Sequence, residues 1–227
     1  MKENSMSALL SQAEENYLKA IYKISLQDGT PVSNNAISVE MSTSAASVTD
    51  MINRLSQKDL VHYQKRKGVS LTTKGMATAI HLVRKHRLWE TFLVEKLNFT
   101  WDEVHDLAEQ LEHIQSRELI NRLEEFLDFP KYDPHGDPIP DRNGEITERQ
   151  QVLLSQLPVA QKAVVVGVND HSSPFLQYLE RTGLLLGAEL TINERLAYDN
   201  SLQLELQNGE KLLVSQKVGQ HLFVQRK

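Results

Sequence analysis

The stretch HDLAEQLEH, residues 105 to 113, places two histidines and two glutamates within nine positions. At about 100° per residue, an α-helix brings His105, Glu109, Glu112 and His113 to one face and the apolar residues mainly to the other. Two carboxylates one turn apart repel each other unless a cation lies beside them. The stretch therefore predicts a metal site or, more simply, the solvated polar face of a helix in an acidic protein.

A second pair of donors favours the metal interpretation. The pattern predicts a long helix from about Thr73 to Leu97, and its segment KHRLWE places His86 and Glu90 four residues apart, on one face. One such pair is usually a surface hydrogen bond. If this helix packs against the next one, however, His86 converges with Glu109, Glu112 and His113 on one ion.

The ligand types indicate which metals suit such a site. The sequence contains no cysteine, which excludes disulfides and thiolate ligands. Carboxylate oxygen and imidazole nitrogen without sulfur suit Mn²⁺ or Fe²⁺ better than a soft cation. Zinc and other late metals still bind such donors more tightly than Mn²⁺, so selectivity would have to come from geometry.

Composition sets outer bounds on the class of protein. The 227 residues suffice for two domains of ordinary size, and 40% of them are hydrophobic, as in a globular protein. There is no apolar run near 18 residues and no secretory signal at the start, so we expect a cytoplasmic protein with no membrane partner.

Charge is distributed unevenly along the chain. The net charge of −5 disfavours nucleic-acid binding by the chain as a whole. Residues 1–98, however, carry 13 Lys and Arg against 9 Asp and Glu, whereas residues 99–227 carry 12 against 21. A basic first part is compatible with DNA binding by that part, although the asymmetry is too modest to establish it.

The first part has the pattern of a winged helix. An amphipathic helix over residues 8–27 ends at DGTP, and a short helix follows the predicted cap at Ser33. The turn MSTS leads to a second helix with Val48, Ile52 and Leu55 on one side, which gives a helix-turn-helix. Two short β-rich runs then flank KRKG, the basic tip of a predicted hairpin. Each part is common alone, but their order is specific.

The exposed face of the second helix and the hairpin tip are the predicted DNA contacts. Small side chains allow close approach in a major groove, and basic side chains contact phosphates, which position a protein without reading bases. Asp50 is an exception that could accept from a cytosine amine or face solvent. Without an Arg or Gln placed for bidentate base reading, we expect specificity to come largely from DNA shape and apolar contact. The predicted contacts are Ser44, Ala46, Ser47, Thr49, Asp50, Asn53, Arg54, Lys65, Arg66 and Lys67.

The C-terminal part is predicted to be a separate small β-barrel. It follows a linker rich in Pro, Gly and Asp, DPHGDPIPDRNGEI. The segment SPFLQYLERTG predicts one helix that ends at Gly183. Five short β-rich runs are typical of a small barrel. The predicted strands cover residues 162–168, 188–194, 201–207, 211–215 and 221–225.

Together these segments resemble one known family. YLKAIYKI, SAASVTDMINRL, LTTKG, RKHRLWETFLVEKL, VHDLAEQLEH and FPKYDPHGDPIP resemble the diphtheria toxin repressor family, especially its manganese-responsive members, over residues 8–140. The resemblance implies a homodimeric, metal-activated repressor of metal-uptake genes that binds operator DNA. It implies a mainly α fold with a small β domain: a winged-helix domain over 1–72, a helical metal and dimerisation domain over 73–146, and an SH3-like domain over 147–227.

The resemblance also implies two metal sites. The primary site of the family matches His86, Glu109, Glu112 and His113, and its first-helix ligand, usually Asp or Met, matches Asn16. The iron-responsive branch has Cys where this chain has Glu109, so the resemblance favours Mn²⁺, with Fe²⁺ as the alternative. The secondary site matches Glu90, Asp133, His135 and Asp170, and His105 matches an ancillary ligand of the iron-responsive branch.

Two other classes of function remain open on the sequence. A metalloenzyme with a helical-bundle site is disfavoured because the chain contains no H-E-x-x-H motif and no Glu-x-x-His motifs of the di-iron type. A winged-helix regulator could also sense a ligand other than a metal. Metal-dependent binding to promoter DNA separates all three classes.

Overall fold

The computed structural model describes residues 10–227, so the first two residues of the predicted helix 8–27 lie outside the described part. The chain divides into two compact units, which we call unit 1 and unit 2. Unit 1 contains the described residues through His86 together with residues 111–115 and 140–145. Unit 2 contains residues 87–110, 116–139 and 146–227.

Unit 1 is built on α1 (Gln12–Asp28), whose start is fixed by a capping box. The Ser11 hydroxyl accepts from the backbone N–H of Glu14, and the Glu14 carboxylate accepts from the backbone N–H of Ser11. The apolar face of α1, including Leu18 and Ile21, is buried in one core with the next helices and the hairpin. This core holds the first helix and the predicted DNA-reading elements together.

The predicted helix-turn-helix is confirmed. The second and third helices, α2 (Asn34–Glu40) and α3 (Ala45–Gln57), are capped by Ser33 and Ser44. Between them Ser42 takes a left-handed conformation with φ 47°, which closes the tight turn. The period of Val48, Ile52 and Leu55 buries one side of α3 completely and leaves the opposite side exposed.

The predicted wing is an antiparallel hairpin of β1 (Val61–Gln64) and β2 (Gly68–Leu71). Arg66 in its turn has φ 69°, and the three basic side chains of the turn are exposed. The hairpin thus presents positive charge at its tip.

Three helices follow: α4 (Thr73–Leu97), α5 (Val104–Leu111) and α6 (Arg117–Phe126). The bounds of α4 agree with the prediction, and the helix passes from unit 1 into unit 2 at Arg87. By contrast, α5 ends at Leu111, so Glu112 and His113 lie in the turn after it and not on its face. The prediction of one helix through residue 113 was therefore wrong at its end.

The rest of unit 2 contains a six-stranded antiparallel sheet. Its strands lie side by side in the order β3 (Val152–Leu153), β8 (Leu222–Arg226), β4 (Lys162–Val168), β5 (Glu189–Arg195), β6 (Leu202–Leu206) and β7 (Lys211–Val214). The five predicted strands are present with bounds within about one residue, and alternate side chains of each form the core. A two-residue strand and a four-residue helix are too short for a sequence pattern to indicate. The elements are β3 (Val152–Leu153), a 3₁₀ helix (Leu154–Gln156), β4 (Lys162–Val168), α7 (Ser173–Arg181), β5 (Glu189–Arg195), β6 (Leu202–Leu206), β7 (Lys211–Val214), α8 (Gln216–Gly219) and β8 (Leu222–Arg226).

Candidate metal centres and nucleic-acid interface

Unit 2 contains a buried cluster of three donors, here called the unit 2 centre: Glu90, Asp133 and His135. Each offers one ligand atom, and these atoms lie within 4.8 Å of one another. All three residues are at least 95% buried, with exposures of 3%, 4% and 2%. Two carboxylates and an imidazole so close together in the interior are the donor set of a divalent-cation site.

The loop after α6 carries two of these donors, Asp133 and His135, and fixes their orientation. The Asp133 carboxylate accepts from the backbone N–H groups of His135 (2.8 Å) and Asp137 (3.0 Å), so it folds its own loop. The ring nitrogen Nε2 of His135 lies 2.8 Å from the carbonyl oxygen of Trp101. A carbonyl can only accept, so Nε2 donates and Nδ1, which lies 3.7 Å from Glu90, is left to face the cluster.

The same loop is held against β4. Arg149 donates to the carbonyl oxygens of Gly136 (2.9 Å) and Val166 (2.5 Å), and its guanidinium lies 4.0 Å from the ring centroid of Tyr132. A side chain at Gly136 would place its Cβ 2.1 Å from the carbonyl oxygen of Val166. The close contact of loop and strand therefore requires glycine at this position.

The unit 2 centre carries excess negative charge. Burial, followed by the charges of Asp137 and Glu90, raises the pKa of Asp133 to about 7. Burial alone would lower the pKa of His135, but its interactions with Glu90 and Asp133 outweigh burial and raise that pKa to about 9. Arg87 offsets part of the charge, with Nε 3.6 Å from Asp133. A divalent cation would balance the remainder.

Two further histidines lie beside this centre. His105 is exposed, with Nδ1 3.4 Å from Glu90. His171, in the loop between β4 and α7, has its ring centroid 4.8 Å from that of His135 and its Nε2 3.8 Å from Asp137. Sequence reasoning named its neighbour Asp170, whose carboxylate accepts from the backbone N–H of Ser172 (2.9 Å). The only sequence signal for His171 was its position next to Asp170.

Unit 1 contains a second group of predicted donors, here called the unit 1 centre: His86, Glu112 and His113 with Glu15 and Asn16 of α1. His86 Nδ1 lies 2.5 Å from Glu112, which is fully buried. His113 Nδ1 lies 2.6 Å from Glu15. Lys85 interacts electrostatically with a carboxylate of each pair, Glu15 and Glu112.

Asn16, the neighbour of Glu15 on α1, has an unsatisfied side-chain oxygen. Its Oδ1 is buried and accepts no hydrogen bond from any residue in the described part of the chain. A buried acceptor without a donor is costly unless something else binds it, and an amide oxygen is a good ligand for a hard cation. The donors of the unit 1 centre therefore also fit a divalent metal.

The other predicted residues of this centre are placed differently. Glu15, which lies about 100° from Asn16 around the helix, accepts from His113 and from the Gln115 amide (2.7 Å). Glu109 lies on α5 in unit 2 and is half-buried. Burial would raise the pKa of Glu112, but the His86 hydrogen bond and the Lys19 charge hold that pKa below its usual value.

The predicted DNA contacts lie on α3, at its cap and at the tip of the wing. Ser44 caps α3 by accepting from the backbone N–H of Ser47 (3.1 Å), and Thr49 Oγ1 donates to the carbonyl oxygen of Ala45 (2.9 Å). Thr49 is half-buried. The other predicted contacts are exposed: Ser44, Ala46, Ser47, Asp50, Asn53, Arg54, Lys65, Arg66 and Lys67.

A winged helix-turn-helix followed by helices that carry two donor clusters defines a class, the metal-regulated DNA-binding proteins. In the described part of the chain, no helix is long and apolar enough to cross a membrane.

Comparison with known proteins identifies the family. Three family patterns match in succession: "Iron dependent repressor, N-terminal DNA binding domain" over residues 9–69, "Iron dependent repressor, metal binding and dimerisation domain" over 72–141, and "FeoA domain" over 152–226. The iron-dependent repressor IdeR of Mycobacterium leprae is 30% identical over 195 residues, which cover 81% of this chain and 84% of that protein.

Solved structures agree. A manganese-dependent transcriptional repressor in complex with manganese has a TM-score of 0.85 and 31% identity, and the match covers 94% of this chain and all of that one. The manganese regulator SloR has a TM-score of 0.72 and 37% identity over 94% of this chain and 98% of its own. A probable metal transport system membrane protein of Chlamydia trachomatis is 52% identical over 73 residues, 32% of this chain and 16% of that protein.

The chain belongs to the iron-dependent repressor family, which includes the diphtheria toxin repressor. The winged-helix and SH3-like fold predictions are thereby confirmed, as are operator DNA and a second copy of the chain as partners. The family consists of metal-dependent transcriptional repressors and not of enzymes, which settles the metalloenzyme alternative.

Proposed function

We propose that this repressor is activated by Mn²⁺, with Fe²⁺ as the alternative metal, and that it controls genes for metal uptake in the cytoplasm. The unit 2 centre carries this proposal, because its buried donors are all oxygen and imidazole nitrogen. Such donors suit Mn²⁺ and Fe²⁺. The manganese-dependent relatives, and the chlamydial relative described as part of a metal transport system, support it.

In the unit 2 centre, Glu90, Asp133 and His135 would hold the metal, with His105 beside Glu90. We propose His171 as a further ligand in place of Asp170, since its ring lies beside His135 whereas Asp170 accepts from Ser172. Bound metal would neutralise the excess carboxylate charge and fix the loop that carries Asp133 and His135.

In unit 1, metal bound by Asn16, His86, Glu112 and His113 would tie α1 to α4 and to the turn after α5. The buried face of α1 shares its core with α3 and the wing. Fixing α1 would therefore bias the positions of α3 and the wing. In a dimer, this would place the two α3 helices at the spacing of successive major grooves.

For DNA binding we propose that α3 enters the major groove and that the wing contacts phosphates. The contacting residues would be the exposed set given above, with Thr49 at its edge. We further propose the segments 1–72, 73–146 and 147–227 as the functional domains. The three family matches, over 9–69, 72–141 and 152–226, support these divisions.

The test is metal-dependent binding to promoter DNA. Fluorescence anisotropy with labelled promoter fragments of metal-uptake genes would compare Mn²⁺, Fe²⁺ under anaerobic conditions, Zn²⁺ and a chelator. Expected is tight binding with Mn²⁺ or Fe²⁺ that a chelator reverses, and loss of this response in Glu90→Gln. Binding that is equally tight with chelator present would refute metal activation.

A further inference from the structure

A lysine ammonium group lies inside the unit 1 centre. Lys19, on α1, donates from Nζ to both oxygens of Glu112, at 2.6 and 2.9 Å. The carboxylate it contacts is fully buried and also bonded to His86. Both Glu112 oxygens that a metal would use are therefore engaged by a cation that belongs to the chain itself.

Two lysines already face the carboxylates of this centre. Lys19 donates to Glu112, and Lys85 interacts electrostatically with both Glu15 and Glu112. A divalent ion added to this set would lie beside an ammonium group, and like charges so close repel strongly in a protein interior. In the unit 2 centre, three carboxylates, Glu90, Asp133 and Asp137, face two cationic groups, the Arg87 guanidinium and the His135 imidazole, so the carboxylates are in excess there.

Of the two lysines, Lys19 is the one whose ammonium group can move away from the centre into solvent. Its side chain is 19% exposed, whereas Lys85 is buried at 3%. A lysine has a flexible four-carbon stem and a strongly hydrated head, so Lys19 can swing its ammonium group into water while its stem stays packed.

We propose that Lys19 is a displaceable counter-ion that holds Glu112 in the metal-free protein and is expelled when a divalent metal binds the unit 1 centre. Lys19 then sets the metal concentration at which the repressor responds, because each metal ion must first break its contact with Glu112. This inference rests on the proposed function, since it takes the unit 1 centre as a metal site.

The first test measures Mn²⁺ affinity by calorimetry without DNA. The full-length chain carries His135→Gln in every sample, so that the unit 2 centre does not contribute. In this background, Lys19→Met should tighten Mn²⁺ binding at least about tenfold, the scale of one charge-assisted hydrogen bond. Lys23→Met is the matched control: it lies one turn further along α1 in an exposed pair with Glu40 at 2.8 Å, and should change the affinity less than about twofold.

An affinity of Lys19→Met within about twofold of the background protein would overturn the proposal. The proposal would also be overturned if Lys23→Met tightened Mn²⁺ binding as much as Lys19→Met, because removing any positive charge from α1 would then account for the effect. If circular dichroism shows that Lys19→Met does not fold, Lys19→Gln takes its place.

The second test needs no substitution. An amine-reactive reagent applied to the wild-type protein with and without Mn²⁺, followed by mass spectrometry, measures the reactivity of each lysine. Expected is a severalfold rise in Lys19 labelling with Mn²⁺ and no rise at Lys23. Unchanged or reduced labelling of Lys19 at saturating Mn²⁺ would refute displacement. Absence of Mn²⁺ binding at both centres of the wild type would instead refute the proposed function.

Discussion

Replacing Gly136 by alanine should disrupt the unit 2 centre without touching a ligand. The added Cβ would lie 2.1 Å from the carbonyl oxygen of Val166 and 2.5 Å from Cα of Gly167, both backbone atoms that cannot rotate away. Real Cβ contacts do not fall below 3.0 Å, so loop and strand must separate by roughly 0.9 Å. Metal sites tolerate about 0.2 Å in their ligand distances, so this shift should weaken Mn²⁺ binding at least about tenfold.

The chain offers a closely matched control for this change. Gly187 has the same φ of 86° as Gly136, but a Cβ there meets nothing within 4 Å. Gly187→Ala should therefore cost only the backbone strain of a left-handed alanine, about 1–2 kcal/mol. Gly136→Ala carries the same strain and the clash in addition, so its loss of stability should be larger.

The assays are urea denaturation and Mn²⁺ calorimetry on the two variants and the wild type. Expected are a larger loss of unfolding free energy in Gly136→Ala and a loss of Mn²⁺ affinity in that variant alone. Equal stability of the two variants, with wild-type Mn²⁺ affinity in both, would refute the argument that the loop must contact β4 closely to form the centre.

Three further predictions concern unit 1. Glu112→Ala should abolish Mn²⁺-dependent DNA binding while circular dichroism shows a folded protein, and a normal metal response would remove this residue from the site. Asn16→Asp should tighten Mn²⁺ binding, whereas Asn16→Leu should weaken metal-dependent DNA binding more than metal binding itself. Calorimetry beside operator binding measures both, and an inert Asn16→Leu would exclude Asn16 as a ligand. Lys67→Ala should weaken binding to all DNA sequences about equally and reduce the salt slope by roughly one unit, and a loss confined to one operator base would contradict a phosphate contact.

The sequence predicted the fold well where periodic patterns are long. The burial of Val48, Ile52 and Leu55 follows directly from their spacing, and the bounds of α4 agree with its pattern. Patterns fail over short segments, which is why β3 and α8 were missed: two and four residues contain no period.

The sequence suggested candidate donor residues for the site, but it did not predict which of them contact each other. Helical spacing did not indicate the contact between Glu15 and His113, because His113 lies in a turn outside any helix and its direction does not follow the helical period. His171 lies in a loop, where spacing carries no information about direction. The contact of Lys19 with Glu112 joins residues 93 positions apart, and no local pattern indicates such a pair.

The most direct test of metal activation is the affinity of the full-length dimer for promoter DNA as a function of free Mn²⁺, measured for the wild type and for Glu90→Gln. Glu90→Gln removes the charge of a ligand that is 3% exposed and keeps its shape. We expect Mn²⁺ to tighten the binding of the wild type to promoter DNA by orders of magnitude, and Glu90→Gln to need far more Mn²⁺ for the same effect. Coincident curves for the two proteins, or a wild-type affinity that does not depend on Mn²⁺, would contradict it.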